Sequence, residues 1–146
     1  EGVKRRMERT ATVAGIAIYD DFAHHPTAIR RTIDAMRRRH PDSRIVVAIE
    51  PRSNTMKLGV HNDELAASLE SADLVWMYRP EDMDDDFDAA LTALGDRINV
   101  FDDYDQLVND MSTRVGEGDQ VVFMSNGGFG GARQTLTAVL QRTRSN

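Results

Sequence analysis

The chain has 146 residues, no cysteine, and 18 Lys and Arg against 24 Asp and Glu, for a formal net charge of -6. That length suits one compact domain spanning residues 1–146, and with 40% hydrophobic and 29% charged residues the composition is that of an ordinary globular protein. Missing cysteines exclude a disulfide framework or thiolate zinc site, and no apolar run nears the roughly 20 residues that span a bilayer, so a membrane partner is not expected.

The opening reads as a hairpin: a strand over 6–13, a turn at Ala14-Gly15, and a second strand from Ile16. Pro26 suits the first turn of a helix, where its missing N–H costs nothing. Ile29, Ile33 and Met36 recur at helical spacing from there to His40. RIVVAIE, residues 44–50, is a nearly continuous apolar run, the mark of a strand covered on both faces. A polar loop over 51–59 precedes a helix through Leu65 and Leu69, then a strand over 73–78. A helix over 87–94, a strand over 98–101, a helix over 104–115 and a strand over 119–124 follow. The loop SNGGFGG, residues 125–131, leads into a last helix ending near Arg142. Alternation of this kind implies an α/β fold: a Rossmann-like, open and mostly parallel sheet, with the antiparallel hairpin at one side and helices on both faces.

Charge is unevenly spread. Residues 1–40 carry nine basic and five acidic side chains, whereas residues 81–110 carry one basic and eleven acidic. The arginines at 30, 31, 37, 38 and 39 fall within one helical pattern and read mainly as a wet face. Nucleic-acid binding would want a larger basic excess and more than 6% aromatic residues, so no nucleic-acid partner is expected. The acidic block reads as a solubilising surface.

In an open α/β sheet, ligands bind beyond the carboxyl ends of the strands. Three loops there are rich in functional side chains: residues 20–27, 50–59 and 125–131. DDFAHHP offers a strand-end aspartate able to accept ribose hydroxyls, with Phe22 for a base. Its alternatives are a plain helix cap or a metal site using Asp20, Asp21, His24, His25 and His61. Against the metal, neighbouring residues leaving a strand point to opposite sides. SNGGFGG opens a helix, where backbone N–H groups can cradle an anion; a tight turn without ligand is the alternative. It is not a dinucleotide fingerprint, and the chain has no phosphate-binding P-loop. EPRSNTMKLG gathers Arg52, Ser53, Asn54 and Lys57, a planar fork and a mobile charge suited to carboxylates, or an ordinary surface loop.

Together GVKRRME, YDDFAHHPTAI, EPRSNTMKLG and MSNGGFGG resemble the C-terminal domain of the Mur ligases, the ATP-dependent amide-forming enzymes of peptidoglycan synthesis. The resemblance covers essentially the whole chain, and EPRSNTMK and SNGGFGG point to the branch that works in cell-wall recycling. It implies one domain of a three-domain cytoplasmic ligase, with ATP and Mg2+ as cofactors and UDP-N-acetylmuramate and a murein tripeptide as substrates. The P-loop and metal ligands would lie in the absent N-terminal and central domains, so this chain alone would catalyse nothing. By resemblance Arg6, Asp21, Phe22 and His24 bind ATP. His25, Arg52, Ser53, Asn54, Lys57, Ser125 and Asn126 then face the acceptor peptide. No residue of the chain is implied to bind metal. The rival reading is a free-standing α/β module that binds a nucleotide or acidic peptide without catalysis.

Overall fold

A computed structural model describes residues 7–23, 25–51, 62–81, 83, 85–125 and 127–144. Strands β1 (Glu8–Val13) and β2 (Ile16–Asp21) form the expected hairpin, with Ala14 and Gly15 both at positive φ in the two-residue turn. Helix α1 (Pro26–Arg39) begins on its proline and leads to β3 (Ile45–Ile49). Helix α2 (Asn62–Ser68), β4 (Leu74–Tyr78), α3 (Asp85–Leu91) and β5 (Ile98–Phe101) follow. Helix α4 (Tyr104–Arg114), β6 (Gln120–Met124) and α5 (Ala132–Arg144) complete the chain.

One expected helix differs. The pattern over 87–94 becomes α3, which starts on aspartates favourable to the helix dipole, followed by a 3-10 turn over Thr92–Arg97. Gly95, at φ 62 and ψ -137, breaks the helical path there.

The six strands lie in the order β1-β2-β6-β3-β4-β5, antiparallel between β1 and β2 and parallel elsewhere. Alternate residues of each strand feed two separate cores. Tyr19, Val47, Val75 and Val122 pack with Ile33 of α1, Leu65 of α2 and Phe87 of α3 on one face. Ile18, Val46, Trp76 and Val121 pack with Met111 of α4 and Leu136 of α5 on the other. The chain moves outward from β2 to β5 through helices on the first face. It returns from β5 to β6 through α4 on the second, as a single crossover handedness requires. Among the described residues no helix is long and apolar enough to cross a membrane.

Two consequences of this layering are measurable by urea unfolding. Ile33→Val, on the first face, should cost about 0.5–1.5 kcal/mol, and Leu136→Ala, on the second, about 2–5 kcal/mol. Because the sheet separates the two clusters, the double variant should match their sum within about 0.5 kcal/mol. A larger departure would mean that the two cores share a packing element.

Candidate functional site

Register builds the site. Asp21 of β2 and Ile49 of β3 both stand opposite Met124 of β6, so the three central strands end level. Two backbone bonds seal that edge: Ser125 N–H donates to the Asp21 carbonyl (3.2 Å) and Glu50 N–H to the Met124 carbonyl (3.0 Å). The chain leaves β2 and β3 toward the first face and β6 toward the second. The loops therefore part here, which opens a crevice at the carboxyl end of the sheet.

On the first face, Asp21 is 2% exposed. Its Oδ2 accepts from the Thr32 hydroxyl of α1 at 2.5 Å, and its carboxylate also accepts backbone N–H groups of Met7, Phe22 and Ala23. Burial is the largest influence on it and raises its pKa above the ordinary 3.8, while those four hydrogen bonds pull the other way. Asp21 thus clasps α1, its own strand end, and the residue directly after Arg6. Beside it lies a pocket of about 300 Å³ lined by Phe22, Ala23, His25, Ala28 and Arg31 as well as Asp21 and Thr32. Phe22, 41% exposed, presents an apolar ring at its mouth. His25 is the N-cap residue of α1 by backbone conformation, without a side-chain cap bond.

On the second face, Glu50 is 1% exposed. Its Oε1 accepts from the Ser125 hydroxyl (2.8 Å) and its Oε2 from the Tyr104 hydroxyl. Ser125 Oγ accepts in turn from Gly127 N–H at 3.0 Å. Tyr104 stacks on Tyr78, ring centroids 4.1 Å apart and planes 6° off parallel, and meets Phe129 at a tilt. Gly130 sits at φ +57, where a Cβ would lie 2.4 Å from the Tyr104 ring. A glycine is needed there twice over, for backbone and for space. Asp20 faces this side as well, with Arg133 Nε 4.0 Å away.

The glycine-rich loop is less open to an anion than its composition suggests. Gly127 N–H is taken by Ser125, Gly131 N–H by the Gly128 carbonyl, and Ala132 N–H by Phe129. Ser125 itself is buried, its hydroxyl spent on Glu50 and Gly127. Arg6, His24, Arg52, Ser53, Asn54, Lys57 and Asn126 lie outside the described residues, as does His61. The remaining expected site residues, Asp21, Phe22, His25 and Ser125, do gather at one end of the sheet.

Sequence reading passed over Thr32, Glu50, Tyr78 and Tyr104. Two of these flank the loops after Tyr78 and Phe101, which composition marks as acidic surface. A charged residue ending the apolar run RIVVAIE was the available signal for Glu50. Among the described residues no three His, Asp or Glu side chains come close enough to hold a metal ion.

Residues 5–127 match the family described as Mur ligase, glutamate ligase domain, and the chain belongs to that family. It is 40% identical over 134 residues to the UDP-N-acetylmuramate–L-alanyl-γ-D-glutamyl-meso-2,6-diaminoheptandioate ligase of Escherichia coli K12, which covers 91% of this chain and 29% of that enzyme. Among solved structures it is similar to the murein peptide ligase of Psychrobacter arcticus, at 39% identity and a TM-score of 0.85 over 99% of this chain and 32% of that one. The UDP-N-acetylmuramate-alanine ligase of Thermotoga maritima shares the fold at 21% identity and a TM-score of 0.81, over 98% of this chain and 31% of that one. The chain spans less than a third of the length of the curated relatives it matches.

Burial of Asp21 has a pH signature. The folded carboxyl holds its proton to higher pH than the unfolded one, whose pKa is near 3.8. As pH rises, the unfolded state loses the proton first, so the contribution of Asp21 is greatest below 3.8 and is lost as pH climbs through its raised folded value. Compared by urea unfolding at pH 3.5 and pH 7 (about half a unit below and three above the free carboxyl), wild type should lose ground to Asp21→Asn at the higher pH. The opposite trend would mean that the four hydrogen bonds outweigh burial.

Proposed function

We propose that this chain is the C-terminal, ATP-closing and acceptor-binding domain of an ATP-dependent amide ligase of peptidoglycan recycling. The parent enzyme would join UDP-N-acetylmuramate to the tripeptide L-Ala-γ-D-Glu-meso-diaminopimelate through an acyl phosphate. The observation that carries this reading is the 40% identity, across 91% of the chain, to the E. coli ligase of that specificity. The site is compatible with it. On the first face, the pocket beside Asp21 offers an exposed aromatic ring for a base and the cationic Arg31 for an anion.

ATP supplies the phosphoryl group that activates the muramic acid carboxylate. In this reading Arg6 meets its phosphates while Asp21, Phe22 and His24 hold the nucleoside. Mg2+ is left to residues outside this chain, and the single domain turns over no ATP. His25, Arg52, Ser53, Asn54, Lys57, Ser125 and Asn126 belong to the acceptor in this reading. A tripeptide with several carboxylates needs such donors, and holding its amine beside the acyl phosphate is a direct route to rate. The cytoplasm, where the nucleotide substrates are found, is the corresponding location.

Steady-state kinetics of the complete ligase test the two assignments separately. Arg52→Ala should cost tripeptide kcat/KM about 2–4 kcal/mol, on the order of 30- to 1,000-fold, with the constants for ATP and UDP-sugar nearly unchanged. Arg52→Lys should restore only part, because a point charge cannot replace a bidentate fork. Asp21→Ala should instead raise KM for ATP more than KM for the tripeptide. An Arg52 effect on ATP, or an Asp21 effect confined to the tripeptide, would reverse the two assignments.

A further inference from the structure

We propose that Tyr104, acting through Glu50, is a positioning residue for the acceptor peptide. The inference rests on the acceptor reading of the loops that follow β3 and β6 and adds to it a residue from an element that carries none of the expected peptide contacts. It begins with rigidity. Tyr104 is the first residue of α4, whose N-terminus is fixed by the Asp103 carboxylate accepting from Asp105 N–H (2.8 Å) and Gln106 N–H (3.1 Å). Its ring stacks on the Tyr78 ring and lies so close to Gly130 that a Cβ there would not fit. Packed in this way, the ring carries its hydroxyl to Glu50 Oε2.

Glu50 converts this rigidity into loop placement. Its backbone closes the β3–β6 ladder, and its side chain takes hydroxyls from two further elements, Ser125 after β6 and Tyr104 on α4. Pro51, buried, and then Arg52 follow directly. The two loops that hold Arg52, Lys57 and Asn126 are therefore cross-tied at their roots by one buried carboxylate. Hydrogen bonds to an ionised acceptor are stronger than neutral ones, and a carboxylate robbed of a donor in a buried site will turn or admit water. Either response shifts the root of the Arg52 loop against the glycine-rich loop. A small misplacement of this kind can be costly in catalysis, even from a residue that never touches substrate.

The test uses the full-length ligase containing this chain, assayed well below its melting temperature. Tyr104→Phe keeps the ring stack and removes only the hydroxyl. It should raise KM for the tripeptide about tenfold, the value of one hydrogen bond to a charged group, and hold KM for ATP and UDP-sugar within about twofold. A purely structural tyrosine would lower the melting temperature with no such split among substrates. Glu50→Gln preserves shape but leaves one acceptor oxygen where the carboxylate has two, so it disturbs the bond from Tyr104 and supplies the second arm of a double-mutant cycle. If Tyr104 acts through Glu50, the double variant should lose no more tripeptide kcat/KM than the worse single one. Multiplying losses, an unchanged tripeptide KM in Tyr104→Phe, or a shift that falls on ATP would overturn the proposal. Arg52→Ala, measured in parallel, separates this from the reading beneath it. A tripeptide loss there with none in Tyr104→Phe overturns the positioning role and keeps the acceptor reading, whereas silence in both overturns both.

Discussion

The pairing of β6 between β2 and β3 is the constraint on which everything else depends. β6 is the last strand in the sequence and one of the two central strands of the sheet. Until it inserts, the hairpin and the β3–β5 half have no shared edge, and neither core can close. Its burial on both faces explains why QVVFM is apolar throughout. Its register also levels Asp21, Ile49 and Met124, so three loops far apart in sequence emerge side by side. Loop closure over such separations is entropically costly before the contacts repay it, so folding of this chain depends on its C-terminal third.

Strand parity then divides the site in two. Asp21 points to the face of α1, whereas Glu50 and Ser125 point to the face of α4 and α5. Two buried carboxylates thus flank β6 from opposite sides, and they are solvated differently. Asp21 draws three of its four donors from backbone, which ties it to the chain path at Met7, Phe22 and Ala23. Glu50 depends on side-chain hydroxyls from other elements, so its environment can be tuned by single substitutions that leave the backbone alone.

Local pattern explains how much was legible in the sequence. Elements announce themselves through short-range signals: the apolar run at 44–50, the 3.6-residue spacing of Ile29, Ile33 and Met36, Pro26 at a helix start. Loop convergence followed from alternation alone, since parallel strands share a carboxyl end. The resemblance to Mur ligases drew on four segments, GVKRRME, YDDFAHHPTAI, EPRSNTMKLG and MSNGGFGG. What escaped was the wiring between them. Tyr104 and Glu50 are 54 residues apart, Ser125 and Glu50 are 75 apart, and no motif spacing encodes either bond. Composition also misled: acidic neighbours made residues 102–105 look like plain surface, yet the tyrosine among them reaches inward. Gly130 shows the same limit. Its glycine is explained by a ring 26 positions away as much as by its own turn.

Charge placement follows the same division. Helix α1 brings Arg31 to the pocket beside Asp21, and Arg30, Arg38 and Arg39 extend the positive side into solvent. Arg37 is the exception, bound to Asp73 and the carbonyls of Ser43 and Ser71 as a strut at the far end of the sheet. At the opposite flank, the starts of α3 and α4 crowd Asp85, Asp86, Asp103 and Asp105 at the carboxyl edge, where Arg79 is drawn to Asp88. A polyanion approaching this edge meets attraction over α1 and repulsion over α3 and α4. Screening limits such fields to about 8–10 Å at physiological salt, so they act on the last stage of approach. In the proposed ligase both ATP and the acceptor are anionic, and attraction alone would not sort them. An asymmetric edge does: it favours the more highly charged nucleotide over α1 and leaves the acceptor to be chosen by short, directional contacts.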